Sequence, residues 1–162
     1  MTSAAEAVAA LRAAGAGVAT AESLTGGLVC ATLISVPGAS DVVRGGVVAY
    51  APDLKSTLLG VDPVLIAERG TVDADVAAAM ALGARDRLGA TYGLATTGVA
   101  GPDASEGKPP GTVHIAVAGP EGVETALLTL SGDRAAIREG TVAALLSLLV
   151  ATLGEESRPV RG

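Results

Sequence analysis

Short apolar runs alternate with stretches of helical periodicity along most of the chain. Runs rich in β-branched residues predict strands at 18–21, 44–50, 92–96, 112–118 and 123–130. Apolar residues that recur every three or four positions predict helices at 3–14, from the turn after residue 23 to about 36, 52–60, 63–70, 73–88 and 134 to about 153. This order predicts an α/β fold in three α/β/α layers, with a mixed, partly parallel sheet.

The 162 residues fit one domain, 1–162, with a flexible tail from about residue 154 to residue 162. Apolar residues make up 49% of the chain, yet it contains no Phe and no Trp. We therefore expect a core of Leu, Val, Ile and Ala, in which helices and strands approach each other closely.

The charge pattern argues against several classes of partner. The net charge is −6, with no run of Lys or Arg and almost no aromatic residues. Nucleic-acid binding needs a basic surface, and single strands also need stacking platforms. No stretch reaches the roughly 18 uninterrupted apolar residues of a membrane span, and the first ten residues do not resemble a signal peptide. We expect a cytoplasmic protein that binds neither nucleic acid nor membrane.

The sequence offers little for metal or triad chemistry. Cys30 is the only cysteine, which excludes an internal disulfide and a multi-cysteine metal site. Acidic residues show no metal-site spacing, so no metal is expected. The single histidine, His114, lies in an alternating strand pattern and is interpreted as structural. Without a Ser-His-Asp triad, a nucleophilic serine would need a lysine partner.

The turn Glu22-Ser23-Leu24-Thr25-Gly26-Gly27 follows one predicted strand and opens a predicted helix. Such a turn presents hydroxyls and free backbone N–H groups at a helix N-terminus, where anions and oxyanions are stabilised. The alternative is an ordinary junction in which Ser23 or Thr25 is the N-cap. The turn alone does not distinguish these two interpretations.

Lys55 is the most informative residue after Ser23. If Pro52 is the first residue of its helix, Lys55 lies about one turn in, near the positive end of the helix dipole. There, with partial burial, its pKa would fall toward the range useful for a general base. The alternative is a solvated surface lysine. Tyr50, at a strand end, is either a proton relay or a packing residue.

A second glycine-rich turn runs from Thr97 through Gly98 and Gly101 to Pro102. Ligands of open α/β sheets bind beyond strand ends, where such turns collect. Arg134 and Arg138 share a helix face at i, i+4 spacing and are either a solvated edge or a clamp for a substrate anion.

Several motifs occur in an order that matches a known family. They are Glu22-Ser23-Leu24-Thr25-Gly26-Gly27, Val36-Pro37-Gly38, Tyr50 with Lys55, Leu58-Leu59-Gly60-Val61, Thr97-Gly98-Val99-Ala100-Gly101-Pro102, Lys108-Pro109-Pro110-Gly111-Thr112-Val113 and Gly132-Asp133-Arg134. Together they resemble the CinA C-terminal domain family, the nicotinamide-nucleotide amidohydrolases of the PncC type. The resemblance covers roughly residues 5–153.

The resemblance implies hydrolysis of nicotinamide mononucleotide to nicotinate mononucleotide and ammonia, without metal or cofactor, in pyridine nucleotide recycling. It implies that Ser23 is the nucleophile, Lys55 the base and Tyr50 a proton-relay or orienting group. The implied substrate and oxyanion contacts are Glu22, Thr25, Gly26, Gly27, Thr97, Gly98, Gly101 and Arg134, the last for the phosphate. It also implies a homodimer.

Two other functions remain open from the sequence: a non-catalytic nucleotide-binding module, and a serine amidase for another small amide. The chain also departs from the family. Asp103-Ala104-Ser105-Glu106-Gly107 stands where the family usually has more glycine, which adds acid near an expected phosphate site. Asp73 stands where the family often has serine, which we expect to change only a helix cap.

Overall fold

The computed structural model describes residues 2–159. Within that range the helices are α1 (Ala4–Ala13), α2 (Leu28–Ile34), α3 (Pro52–Leu59), α4 (Pro63–Arg69), α5 (Ala74–Arg87) and α6 (Arg134–Glu156). The strands are β1 (Val18–Glu22), β2 (Val43–Val48), β3 (Tyr92–Gly98), β4 (Thr112–Gly119) and β5 (Gly122–Thr129). A single 3-10 turn, Ala39–Asp41, precedes β2.

The five strands form one mixed sheet in the order β2-β1-β3-β4-β5. The first three are parallel, whereas β4 is antiparallel to β3 and to β5. The predicted three-layer arrangement is confirmed: α1, α2 and α6 pack on one face, and α3, α4 and α5 pack on the other.

The two faces of the sheet have different side chains. The α1/α2/α6 face is built mainly from Leu, Val and Ile, whereas alanines dominate the face under α5. There the approach is so close that a Cβ on Gly93 would lie 1.9 Å from the carbonyl oxygen of Ala81. The expected tight core without Phe or Trp is therefore confirmed.

The chain changes direction across the sheet at β1. From β1 it passes to β2 on one side and then to β3 on the other, so the carboxyl ends of β1 and β3 flank a topological switch point. In α/β sheets this is the usual position of a ligand-binding crevice. The residues that follow β1, β2 and β3 are therefore brought to one edge.

Some predicted boundaries were wrong. Strand β2 ends at Val48, two residues early, and β3 continues to Gly98. Helix α6 extends through Glu156, so residues 154–156 are helical and not a flexible tail; residues 160–162 of that predicted tail lie outside the described range. By length and composition α6 resembles a membrane span, but its leucines pack in the core of this fold.

Candidate active site

Ser23 is the first residue after β1, and its backbone is fixed by the neighbouring strand β3. Its N–H donates to the carbonyl oxygen and to Oγ1 of Thr96, at 3.1 and 3.2 Å. Its own carbonyl accepts the N–H of Gly26 at 3.1 Å, which closes a tight turn. The Ser23 side chain is therefore held at the switch point with its backbone fully engaged.

The side chain of Glu22, which was expected to contact substrate, is buried against the start of α2. The side chain is 1% exposed, and its carboxylate accepts the N–H groups of Val29 and Cys30 at 2.8 and 3.0 Å. These are the orphan donors of the first turn of α2, whose N-cap is Gly27 with no side-chain cap. Glu22 therefore caps α2 from the preceding strand, and neither Ser23 nor Thr25 is the N-cap.

Thr25 is also a structural residue of the turn. Its buried hydroxyl lies 2.8 Å from Oγ1 of Thr96. Arg138 donates to the carbonyl oxygens of Leu24 and Thr25, both at 3.0 Å. Arg138 thus holds the serine turn in place. It is neither a solvated residue nor a clamp for a substrate anion, the two roles expected from the sequence.

Lys55 lies in α3 one turn after Pro52, as predicted, but it is buried and not solvated, with 1% of its surface exposed. Its Nζ lies 3.1 Å from Oγ of Ser23, 2.7 Å from the Ala49 carbonyl oxygen and 3.4 Å from the Tyr50 carbonyl oxygen. The structure therefore brings together the serine and the lysine that sequence reasoning singled out.

The environment of Lys55 favours its neutral form. Burial lowers the pKa of Lys55 to about 8, against a smaller opposing effect from the Glu106 carboxylate. A neutral amine has two N–H donors and one lone pair. The two carbonyl oxygens can take the donors, which leaves the lone pair for the hydroxyl proton of Ser23. This geometry is that of a serine and its general base.

The Tyr50 hydroxyl does not lie where a proton relay to Ser23 or Lys55 would need it. Its side chain is 61% exposed, and its hydroxyl accepts a hydrogen bond from Arg134 at 3.3 Å. Only the Tyr50 backbone carbonyl contacts Lys55. Arg134 also donates to the Gly101 carbonyl oxygen at 2.7 Å. The phenol and the guanidinium therefore form one side of a pocket, away from the Ser23–Lys55 contact.

This pocket, which reaches the serine turn at Leu24, has a volume of about 210 Å³. Its lining residues are Leu24, Tyr50, Gly98, Val99, Ala100, Gly101, Pro102, Asp103, Ser105 and Arg134. A larger cavity of about 470 Å³ lies beside β2, between Ile34 and Gly45, and is lined by none of the predicted site residues. The smaller pocket is the relevant one, because it adjoins the serine turn.

Two residues predicted to touch substrate are used by the fold. The Thr97 hydroxyl is buried and donates to the Thr71 carbonyl oxygen at 2.7 Å. Gly98 lines the pocket, but its glycine is required by packing, since a Cβ there would lie 2.7 Å from the carbonyl oxygen of Thr112. Asp73 caps α5 through the N–H groups of Asp75 and Val76, as expected.

Of the turn N–H groups predicted to hold an oxyanion, that of Gly26 is taken by the Ser23 carbonyl oxygen. Within residues 2–159, the N–H groups of Leu24, Thr25 and Gly27 have no protein acceptor. In the same range no group of three or more His, Cys, Asp and Glu side chains is arranged to hold a metal ion.

Sequence reasoning missed Thr96 and the Ala49 carbonyl. Thr96 was interpreted only as a strand end, although a buried threonine beside a glycine-rich turn is a potential hydrogen-bonding group. A backbone carbonyl such as that of Ala49 leaves no signal in the sequence, because its direction is set by how the chain leaves β2.

The fold and the buried Ser–Lys pair define a class: three-layer α/β domains with a serine turn at the switch point. The CinA C-terminal domain model matches residues 1–153. A CinA-like protein of Frankia casuarinae is 55% identical over 132 residues, 82% of this chain and 30% of the relative. A CinA-like protein of Anaeromyxobacter dehalogenans is 49% identical over 143 residues, 88% of this chain and 35% of the relative.

Solved structures give the same result. A CinA superfamily protein from Klebsiella pneumoniae superposes with a TM-score of 0.91 at 29% identity, covering 94% of this chain and 96% of the other. A competence/damage-inducible protein from Agrobacterium tumefaciens gives 0.88 at 37% identity, with 93% of both chains covered. The chain belongs to the CinA C-terminal domain family. It spans about a third of the length of the curated relatives it matches.

Proposed function

We propose that this domain is an amidohydrolase that deamidates nicotinamide mononucleotide to nicotinate mononucleotide and ammonia. Ser23 is the nucleophile and Lys55 the general base in this proposal. The observation that carries it is the 3.1 Å contact between Ser23 Oγ and the Nζ of a buried lysine whose pKa is lowered to about 8. A buried lysine on a serine hydroxyl has no structural necessity, because an apolar residue would fill the same space at no charge cost.

The reaction follows from this pair. Neutral Lys55 takes the hydroxyl proton of Ser23 as Oγ attacks the carboxamide carbon and forms the C–O bond. The tetrahedral intermediate collapses with cleavage of the C–N bond, and Lys55 returns the proton to the leaving nitrogen, which departs as ammonia. Water then attacks the acyl ester and Lys55 accepts its proton. As the C–O bond to Ser23 breaks, Lys55 gives that proton to Ser23 Oγ, which restores the hydroxyl and the neutral amine and releases the carboxylic acid product, which ionises to the carboxylate.

The oxyanion of that intermediate needs donors beside Ser23. The N–H groups of Leu24 and Thr25 follow the nucleophile directly and have no protein acceptor within residues 2–159. We assign the oxyanion to these donors in place of Gly26, whose N–H is engaged. Removal of one such donor in other enzymes costs about 2.7–4 kcal/mol of transition-state stabilisation.

The neighbouring pocket supports a nucleotide substrate. The exposed phenol of Tyr50 offers a face for an aromatic ring, and Arg134 has N–H donors beyond those it gives to Gly101 and Tyr50. We assign the ring to the Tyr50 side of the pocket and the phosphate to Arg134. We further propose that the protein is cytoplasmic and acts as a homodimer without cofactor in pyridine nucleotide recycling.

The test is ammonia release from nicotinamide mononucleotide by the purified protein. We expect turnover in wild type and in the exposed control Ser40→Ala, and a loss of about 10²–10⁴-fold in Ser23→Ala and Lys55→Ala. Undiminished turnover in Ser23→Ala would rule out covalent catalysis.

The same variants separate the two other candidate functions. A non-catalytic nucleotide-binding module would be stabilised thermally by the nucleotide without forming product, and its binding would be insensitive to Lys55→Ala. A serine amidase for another small amide would show Ser23-dependent ammonia release from a different member of a substrate panel. Light scattering checks the dimer.

A further inference from the structure

The acidic loop between β3 and β4 crosses to the turn that precedes α5. The carboxylate of Glu106 accepts the N–H of Thr71 at 2.7 Å, the hydroxyl of Thr71 at 3.0 Å and the N–H of Val72 at 2.9 Å. These three bonds join segments 34 and 35 residues apart in the chain. A single side chain of the loop therefore accepts all three of these bonds.

The backbone of the loop is folded so that this carboxylate reaches its partners. Glu106 has a φ of +53°, the one non-glycine residue with positive φ in the described range. Such a conformation is uncommon for glutamate and is retained only where the surroundings impose it. Two backbone hydrogen bonds between Ser105 and Lys108 close the loop around Glu106, and Lys108 Nζ donates to the Val72 carbonyl oxygen.

The anchored turn is linked to the nucleophile. The carbonyl of Thr71 accepts the hydroxyl of Thr97 at 2.7 Å. Thr97 is adjacent to Thr96, which accepts the N–H of Ser23. A hydrogen-bonded path therefore runs from Glu106 through the turn to the strand end on which Ser23 is positioned.

The negative charge of Glu106 also affects the pKa of Lys55. Burial works to raise the pKa of Glu106, but the hydrogen bonds from Thr71 and Val72 outweigh it and hold the pKa below its ordinary value. The resulting carboxylate opposes the effect of burial on the pKa of Lys55. Two other charged groups act in this cluster. Lys108 lowers the pKa of Glu106 and that of His114, and Asp73 raises the pKa of His114.

We propose that Glu106 is a positioning residue for the Ser23–Lys55 dyad: it holds the turn against which the end of β3 is fixed, and it supplies a negative charge that acts on Lys55. This role rests on the proposed function. It assigns a purpose to one of the two acids in the segment where the chain departs from the family: Glu106 binds the turn before α5, whereas Asp103 lines the pocket.

The test uses the fact that Lys55 and Lys108 are the only lysines in the chain. Protein labelled with ¹³C at lysine Cε gives two resolved titration curves by NMR, and Lys55→Met assigns them. In Glu106→Gln the charge is lost at constant size, and we expect the Lys55 midpoint to move to lower pH by roughly 0.3–1 unit. The matched control, exposed Glu124→Gln on β5, should leave it unchanged.

The kinetic arm measures the positioning effect. We expect the acid limb of kcat/KM in Glu106→Gln to shift to lower pH by the same amount as the NMR midpoint. Glu106→Ala also removes the anchor and should lower kcat by a further factor of about 10. An unmoved Lys55 midpoint in Glu106→Gln overturns the proposal, as does full kcat in a folded Glu106→Ala. Because the NMR titration needs no turnover, failure of the amidohydrolase assay is distinguishable from failure of this inference.

Discussion

Two helices of this domain begin at the same edge of the sheet, and each has a buried charged side chain near its N-terminus. At α2 the charge is the Glu22 carboxylate, which accepts two backbone N–H groups of the first turn. At α3 it is Lys55, a potential cation at the positive end of a helix dipole, bonded to two carbonyl oxygens and to Ser23. The N-terminus of a helix favours negative charge and disfavours positive charge, so the carboxylate at α2 is in a favourable position and the lysine at α3 is in an unfavourable one.

The two buried side chains have opposite effects on the stability of the fold. An anion that caps orphan donors stabilises the fold and has no need of a ligand. A buried lysine near a helix N-terminus is destabilising in its charged form, and its pKa falls to about 8 as a result. Glu22 thus maintains the turn that carries Ser23, whereas the burial of Lys55 lowers stability, as is typical of active sites, and is explained by the base that we propose it to be.

The largest expected effect is on catalysis at Lys55. Lys55→Met keeps the length of the side chain but removes the base, so we expect kcat for nicotinamide mononucleotide to fall by about 10²–10⁴-fold. Stability at pH 7 should be unchanged or higher, because a buried charge is replaced by an apolar group. Steady-state kinetics and urea unfolding measure the two quantities. A Lys55→Met protein that retains activity would contradict the contrast with Glu22.

The second effect is on stability at Glu22. Glu22→Ala leaves the buried N–H groups of Val29 and Cys30 without an acceptor, and we expect a loss of about 2–4 kcal/mol in the free energy of unfolding. Glu22→Gln retains one acceptor and should lose less. Urea unfolding provides the measurement, with exposed Glu121→Ala as the control. A loss no greater than in that control would show that Glu22 does not hold α2.

The third effect is a pH dependence of stability. The pKa of Lys55 is about 8 in the folded protein and about 10.4 in an unfolded chain, so the unfolded state binds more protons between these values. The stability of wild type relative to Lys55→Met should therefore rise with pH from about 8 to 10.4, by at most about 3 kcal/mol. Below pH 8 the difference should be constant. A flat difference from pH 7 to 10 would mean that burial does not perturb Lys55.

The sequence predicted the fold well because its signals are local. Glycine and proline mark the ends of most helices and strands. The alternation of apolar strand runs with helical periodicity was enough to predict the three layers and the pair of strands that became the β4–β5 hairpin. Predictions failed at the end of α6, where a sequence without an apolar stripe still continues as helix through Glu156. They also failed for the cap of α2, because Glu22 reaches it from a strand and not from the N-cap position.

The site was predictable only in part. Ser23 and Lys55 were found as residues with suitable chemistry, but their contact spans 32 positions and depends on the sheet order. Tyr50 and Thr97 were predicted from residue type at strand ends, and the direction of each side chain was decided by packing instead. Thr96 and Glu106 were missed as site residues because most of their partners are backbone groups, which leave no mark in the sequence. For Arg138 the sequence left open a solvated edge or an anion clamp, and the structure shows that it holds the carbonyl oxygens of Leu24 and Thr25.

The most direct test of this account is the ionisation of Lys55 in the wild-type protein. Lysine Cε titration by ¹³C NMR reports it without substrate, since Lys108 is the only other lysine in the chain. We predict a midpoint near pH 8 for Lys55, matched by the acid limb of kcat/KM for ammonia release. A midpoint at the ordinary value of about 10.4 in the folded protein would contradict the assignment of Lys55 as a base poised to activate Ser23.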